Sequence, residues 1–250
     1  MAKSKDKEEP GTEMVNWEER LAAEAKDAAA VERPQVANIS MRAGVMSYQG
    51  QPLPGNQLEC IVAASVFENR YYAGKWDPNN IESPDCFALS ESGEDMVPHP
   101  ASKNKQHTSC RECPHLQWKT VEGKRRKECG EIRRLMLLPA GELDAETVAK
   151  TEAAMLKVSV TNVKHWGNYV NNVAASYSRP PWSLITKISA APDVKTQFRI
   201  SFETTAMIPG DVLGAVDARR APLAAVAMAP YDAQSSSDEE AKAPKENAKY

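Results

Sequence analysis

Through the middle of the chain apolar positions recur every second residue, and a period of two predicts strands. Val36, Asn38 and Ser40 alternate with Ala37, Ile39 and Met41, and Gly44 and Gly50 then punctuate the pattern. Gln57 to Tyr72 reads as one long strand containing Leu58, Cys60, Val62, Val66 and Phe67. Strand, turn, strand, turn, long strand suits a meander opening a small barrel. Further on, Leu135-Met136-Leu137-Leu138 is a short buried strand, Pro139 to Asp144 is a turn, and Ala145 to Ala154 is one short helix. Leu156, Val158 and Val160 alternate with Lys157, Ser159 and Thr161, a strand with one wet face. Trp182, Leu184, Thr186 and Ile188 alternate next, Ala190-Ala191-Pro192-Asp193 reverses the chain, and Phe198, Ile200 and Phe202 alternate back. The pair is a hairpin whose other face offers Lys187, Gln197 and Arg199.

The period lengthens to that of a helix in three places. Val163, Trp166, Val170, Val173, Ala174 and Tyr177 lie on one helical face, and Arg179-Pro180-Pro181 ends the run. Val212, Leu213, Val216 and Leu223 predict another helix lying on the barrel. Near the start, residues 17–33 form a helix that Asn16 can cap, with Glu18 and Glu19 in its first turn. Its stripe of Leu21, Ala25 and Ala28 is thin. Residues 1–16 and 233–250 are rich in Lys, Glu, Ala and Ser and are expected to be a disordered leader and tail. One domain is therefore expected over 34–232, mainly β with flanking helices, carrying a loop-rich insertion at 83–134.

That insertion changes the picture, because four of the five cysteines fall in or beside it. Cys110-Arg111-Glu112-Cys113 is a Cys-x-x-Cys knuckle that can turn two thiolates toward two corners of a tetrahedron. Cys86 and Cys129 flank it, so a structural zinc (Zn) site of four sulfurs is expected; His107, three residues before Cys110, is the alternative to one outlying cysteine. Pro84, Gly93, Pro98, Pro100 and Gly123 make the segment hard to order without a staple. Disulfides are disfavoured because Lys3, Lys5 and Lys7 follow Met1 with no apolar signal core, and a cytoplasmic location is expected. A redox pair would want a buried strand before the knuckle, and a zinc deaminase a Pro before Cys110 and an upstream His-x-Glu; Gln106 to Ser109 supplies neither. Cys60 sits in an apolar run as a small hydrophobe, and His99 and His115 are expected to be solvated loop residues.

Charge sharpens the functional class. The net charge is −3 over 250 residues, yet the ten Lys and Arg against four Glu between Lys103 and Arg134 give that segment +6 and leave the remainder at −9. Aromatics lie beside this basic surface: Tyr71, Tyr72 and Trp76 before the insertion, Trp118 within it. Cations that follow phosphates and exposed rings that stack on bases are the two ingredients of single-strand binding. The candidate DNA contacts are those four rings, Lys119, the run Lys124-Arg125-Arg126-Lys127, Arg133 and Arg134, with Lys187 and Arg199 on the barrel face. The competing reading makes the rings core or zinc-site packing and the basic run a solvated loop. No phosphate-cradling glycine loop, nucleophile elbow, His-Glu-x-x-His or magnesium-holding acidic set occurs, so no enzyme is expected. No apolar run is long enough to cross a membrane as a helix.

The chain also resembles a known pattern. Tyr71-Tyr72-x-Gly74, Pro84-Asp85-Cys86-Phe87, the Gln106 to Pro114 knuckle, Trp118, Gly123-Lys124 and Cys129 look like replication-associated proteins of tailed phages, as do Trp166, Tyr169 and Arg179-Pro180-Pro181-Trp182. The likeness spans roughly residues 57 to 205. In plan it is similar to the zinc-containing single-stranded DNA-binding proteins of T-even phages. That resemblance implies an OB-fold with a zinc insertion, single-stranded DNA as partner, phage replication proteins as further partners, and a role in replication, recombination or repair in the host cytoplasm. Those phage proteins use a histidine ligand and a strongly acidic tail, and this chain departs on both points. The alternative is a zinc-stapled transcription regulator or replisome adaptor that binds duplex DNA or a polymerase.

Overall fold

A strand buried on both faces needs an uninterrupted apolar run, and Cys60-Ile61-Val62-Ala63 is one. It lies in β4, the 15-residue strand Gln57–Tyr71, on which the domain is built. The computed structural model describes residues 17, 20–21, 36–42, 44–74, 82–121, 123–141 and 143–231, without the side chains of Val121 and Lys124. The chain divides into a unit at Met1–Gln35 and one at Val36–Tyr250. In the first, Trp17, Arg20 and Leu21 are helical. The expected leader, most of the expected 17–33 helix and the expected tail lie outside the described residues.

In the second unit, β1 (Ala37–Arg42), β2 (Val45–Tyr48) and β3 (Gln51–Pro52) form a short meander, but the long strand β4, expected as its third member, pairs instead with strands later in the chain. Then come β5 (Cys86–Ser90), a hairpin of β6 (Lys119–Val121) and β7 (Lys124–Arg126), and β8 (Gly130–Pro139). Helix α1 (Ala145–Lys150) precedes β9 (Ala154–Val158), and α2 (Val163–Tyr177) precedes the hairpin of β10 (Leu184–Asp193) and β11 (Gln197–Met207). Helix α3 (Gly210–Ala227) is last. One nine-stranded sheet runs β11-β10-β4-β8-β9-β1-β2-β3, with β5 also on β4. The fold is mainly β with a few helices, and the sheet curls into a half-barrel.

The order β10-β4-β8-β9 is a Greek key: three sequential antiparallel strands and a fourth that returns beside the first. Helix α2 makes the connection between β9 and β10. The first half of β4 pairs with β10 through Ile61↔Ile185, and the far half pairs with β5 through Tyr71↔Cys86. Strand β8 covers the opposite edge of β4.

The two-residue period sorts side chains to two cores. Cys60, Val62, Leu135, Leu137, Leu156 and Val158 face one side, where Trp166, Tyr169 and Val173 of α2 cover them. Ile61, Ala63, Met136 and Leu138 face the other, against Val148 of α1 and Val212, Val216 and Leu223 of α3. Asp144 caps α1 by accepting from the Thr147 amide at 2.9 Å. Asn162, 1% exposed at the head of α2, accepts from the Ile200 amide at 2.8 Å and so binds helix to sheet. Arg219 of α3 donates to the Val148, Ala149 and Thr151 carbonyls, satisfying the end of α1.

Several boundaries differ from the sequence reading. The short helix ends at Lys150 rather than Ala154, because Ala154 already pairs with Leu137 and Ala37. Strand β8 starts at Gly130, five residues before the expected Leu135, because Arg133 and Arg134 sit inside a strand. The β10–β11 hairpin pairs through Asp193↔Gln197, so Ala190 to Asp193 is strand rather than turn. Among the described residues no helix is long and apolar enough to cross a membrane.

Candidate metal centre and nucleic-acid interface

The sheet itself places the two outlying cysteines. Cys86 opens β5 opposite Tyr71, and Cys129 immediately precedes Gly130, which opens β8 opposite Arg70. They therefore flank the end of β4 on its two sides. The knuckle is brought over this end by backbone bonds: the Cys110 amide donates to the Met96 carbonyl at 2.9 Å, and the Cys113 amide to the Cys110 carbonyl at 3.2 Å. The Cys129 amide donates to the His115 carbonyl at 2.8 Å, tying the last cysteine to the loop after the knuckle.

All four cysteines, each 8% exposed, line one cavity of about 20 Å³. That is room for one atom-sized occupant. None is in a disulfide. Burial, then the neighbouring Cys110, Cys113 and Cys86, pushes the Cys129 thiol up to about 12. Burial also raises Cys110, with Cys86 and Cys113 adding to it. Four buried sulfurs lining one cavity are a donor set suited to a cation. Among the described residues, no group of three or more His, Cys, Asp or Glu has the arrangement of an assembled metal site. The fit thus lies in the donor set and the cavity they share, not in a finished coordination sphere.

Both histidines of this cavity have other tasks. His107 Nδ1 faces the Ser109 carbonyl at 3.1 Å and accepts from the Ser109 amide at 3.2 Å. His115, expected in solvent, lines the cavity, packs on Tyr71 with ring centres 4.2 Å apart and bonds Glu128 at 2.6 Å. Glu128 also accepts from Lys119 at 2.9 Å, and these two contacts hold its carboxyl below the usual carboxylate range. His99 too is engaged: it stacks on Phe87 at 4.8 Å, and burial, then Arg134 and Lys105, lowers its pKa.

The relay Tyr71–His115–Glu128–Lys119 fastens the β6–β7 hairpin to the cysteine cavity. Gly123, at φ +74°, makes the hairpin's turn. At its base Trp118 is 59% exposed, with Arg125 5.6 Å and Lys127 5.3 Å from its ring centre. Lys127 also pairs with Glu131. Arg126 is exposed and stands opposite Lys119. Tyr72, 42% exposed, lies 6.0 Å from the Arg70 guanidinium. Trp76 lies outside the described residues, as does the side chain of Lys124.

Besides Tyr71 and Lys119 in the relay and Lys127 in its ion pair, three more expected DNA contacts are otherwise employed. Arg134 is 4% exposed; its Nε donates to Glu68 at 2.5 Å, and its Nη1 donates to the Ala227 and Ala229 carbonyls at 2.9 and 2.8 Å. Burial lowers its pKa, but Glu68 outweighs this and the net shift is upward. Tyr231 donates to the other Glu68 oxygen and stacks edge-on against Phe87. This cation closes the end of α3 and cannot reach a phosphate. Arg133 is half-buried, 3.5 Å from the Phe67 ring centre, and donates to its neighbour's carbonyl. Lys187 pairs with Glu203 at 2.6 Å and faces Glu59 on its other side, so that face of the sheet is not basic. Arg199 is exposed on β11. No family model, curated protein or solved structure matches the chain.

Proposed function

We propose that this chain is a non-enzymatic, sequence-tolerant single-stranded DNA-binding protein, stapled by a structural zinc on Cys86, Cys110, Cys113 and Cys129. The observation that carries the reading is Trp118: a large ring left in solvent, flanked by Arg125 and Lys127, on a hairpin rooted in the cysteine element. Exposing so much apolar surface lowers stability, and stacking on a base recovers it while the cations meet phosphates. Zinc's contribution is to close the loop between Cys86 and Cys129 and fix the hairpin's root. The Greek key of β4, β8, β9 and β10, extended by β11, supports an OB-like platform, a five-stranded partly open barrel. The phage replication or recombination setting rests on the likeness in Tyr71-Tyr72-x-Gly74, Pro84-Asp85-Cys86-Phe87 and the knuckle.

The test is tryptophan emission during titration with oligo-dT. Trp118 should be quenched on stacking, and Trp118→Ala should lose that response and weaken binding by roughly 5- to 150-fold, the worth of one stacked base at about 1–3 kcal/mol. Wild-type affinity in Trp118→Ala would overturn the reading. So would preference for duplex, which would favour a regulator.

A further inference from the structure

A second surface on the cysteine element lies outside the hairpin. Residues 97–109 form a closed loop: the Cys110 amide donates to the Met96 carbonyl at 2.9 Å, so its two ends meet. It is pinned to Phe87 on the free edge of β5 and to Asp85 just before that strand. The His99 amide donates to the Phe87 carbonyl at 2.7 Å, the Asn104 amide to the Asp85 carbonyl at 2.8 Å, and Ser102 Oγ exchanges bonds with both polar groups of the Phe87 backbone. A loop held at so many points is preorganised, and ordering it at binding costs little.

Between the loop's two legs lies an open cleft of about 520 Å³, lined by Val97, Pro98, Lys105, Gln106, His107 and Thr108. That is the size of a small-ligand site. Val97 is 57% exposed on one leg, an apolar surface beside a cationic one. The thirteen residues carry two lysines and two histidines and no Asp or Glu. Gln106 donates its amide to the Asn104 carbonyl at 2.9 Å, which leaves its oxygen for a partner's donor. The wall formed by Pro98, Gln106 and His107 is shared with the cysteine cavity. Anion-attracting charge, an apolar flank and one polar edge are what a nucleotide needs: phosphate, base face and base edge.

We infer that this cleft is a second contact for the single strand, taking one nucleotide with its phosphate on Lys105 and its base against the exposed Val97. The inference rests on the reading of Trp118 as the first contact, and it makes the cysteine element a two-point clamp. The experiment uses the full chain with an oligo-dT 20-mer bearing 5-iodo-deoxyuridine. Photo-cross-linking and peptide mapping should place adducts within residues 97–109 as well as on the hairpin. Lys105→Ala should flatten the salt slope by up to roughly 0.7 units, the share of one phosphate. Val97→Asp, at an exposed position, should weaken binding about fivefold or more. Adducts confined to the hairpin, with wild-type slope and affinity in both variants, would overturn the cleft alone. Trp118→Ala separates the two failures: if it binds like wild type, the first contact is wrong, whatever the cleft does.

Discussion

Arg134→Ala is the perturbation whose outcome the structure fixes most tightly. It removes a guanidinium that is 4% exposed from a carboxylate, Glu68, that is fully buried, and leaves the Ala227 and Ala229 carbonyls without their donor. Tyr231 still donates to Glu68, but a hydroxyl does not balance a charge. Breaking a buried pair from one side costs about 3–5 kcal/mol. For a domain of this size each kcal/mol shifts Tm by about 2–4 °C, so a fall of roughly 6–20 °C is expected. Thermal and urea unfolding followed by circular dichroism, with zinc in excess, reads it. Replacing both partners by apolar residues, Arg134→Met with Glu68→Met, should recover most of the loss, because neither charge is then buried unpaired. A variant within about 0.5 kcal/mol of wild type but with a weakened salt dependence of DNA binding would refute the structural role and return Arg134 to the phosphate backbone.

Cys110→Ser should lose the zinc, one per chain in wild type, and increase proteolysis within residues 86–129; elemental analysis showing no zinc in protein purified without chelators contradicts the metal centre. Alanine at Lys124, Arg125, Arg126 and Lys127 should flatten the salt slope by up to roughly three units, about 0.7 per phosphate, with Lys127 contributing least because it already pairs with Glu131. Lys187→Ala, by contrast, should leave the slope unchanged, and a reduced slope would show that the β10 face meets the DNA. Gly93 sits at φ +77°, and a Cβ there would meet the Phe67 ring at 2.6 Å, so Gly93→Ala should cost about 2–4 kcal/mol in the same unfolding assay; a near-neutral result contradicts that packing.

Where burial follows local pattern, it was readable. The alternation along Gln57–Tyr71 and the helical face of Val163–Tyr177 fall where the periodicity puts them, and so do the two strands of the β10–β11 hairpin, though not its turn. The gathering of Cys86, Cys110, Cys113 and Cys129 at one cavity was readable from residue type. What escaped depends on partners distant in sequence. Gly130 to Arg134 looks polar because the charge of Arg134 is answered by Glu68, 66 residues earlier. Strand β5 is five residues long and is recognisable only by its pairing with the end of β4. His115 carries no sign in its own neighbourhood that Tyr71 and Glu128 will hold it against the cavity. The unbroken apolar runs at Cys60 and Leu135 did carry a signal for helices on both faces of the sheet.

The measurement that bears most directly on the account is a titration of the zinc-loaded chain with single-stranded and duplex DNA of equal length at several salt concentrations. Tighter binding to the single strand, with tryptophan quenching and log affinity falling linearly with log salt, is the predicted result. Equal or tighter binding to duplex, or no response to oligo-dT at low salt, would contradict it.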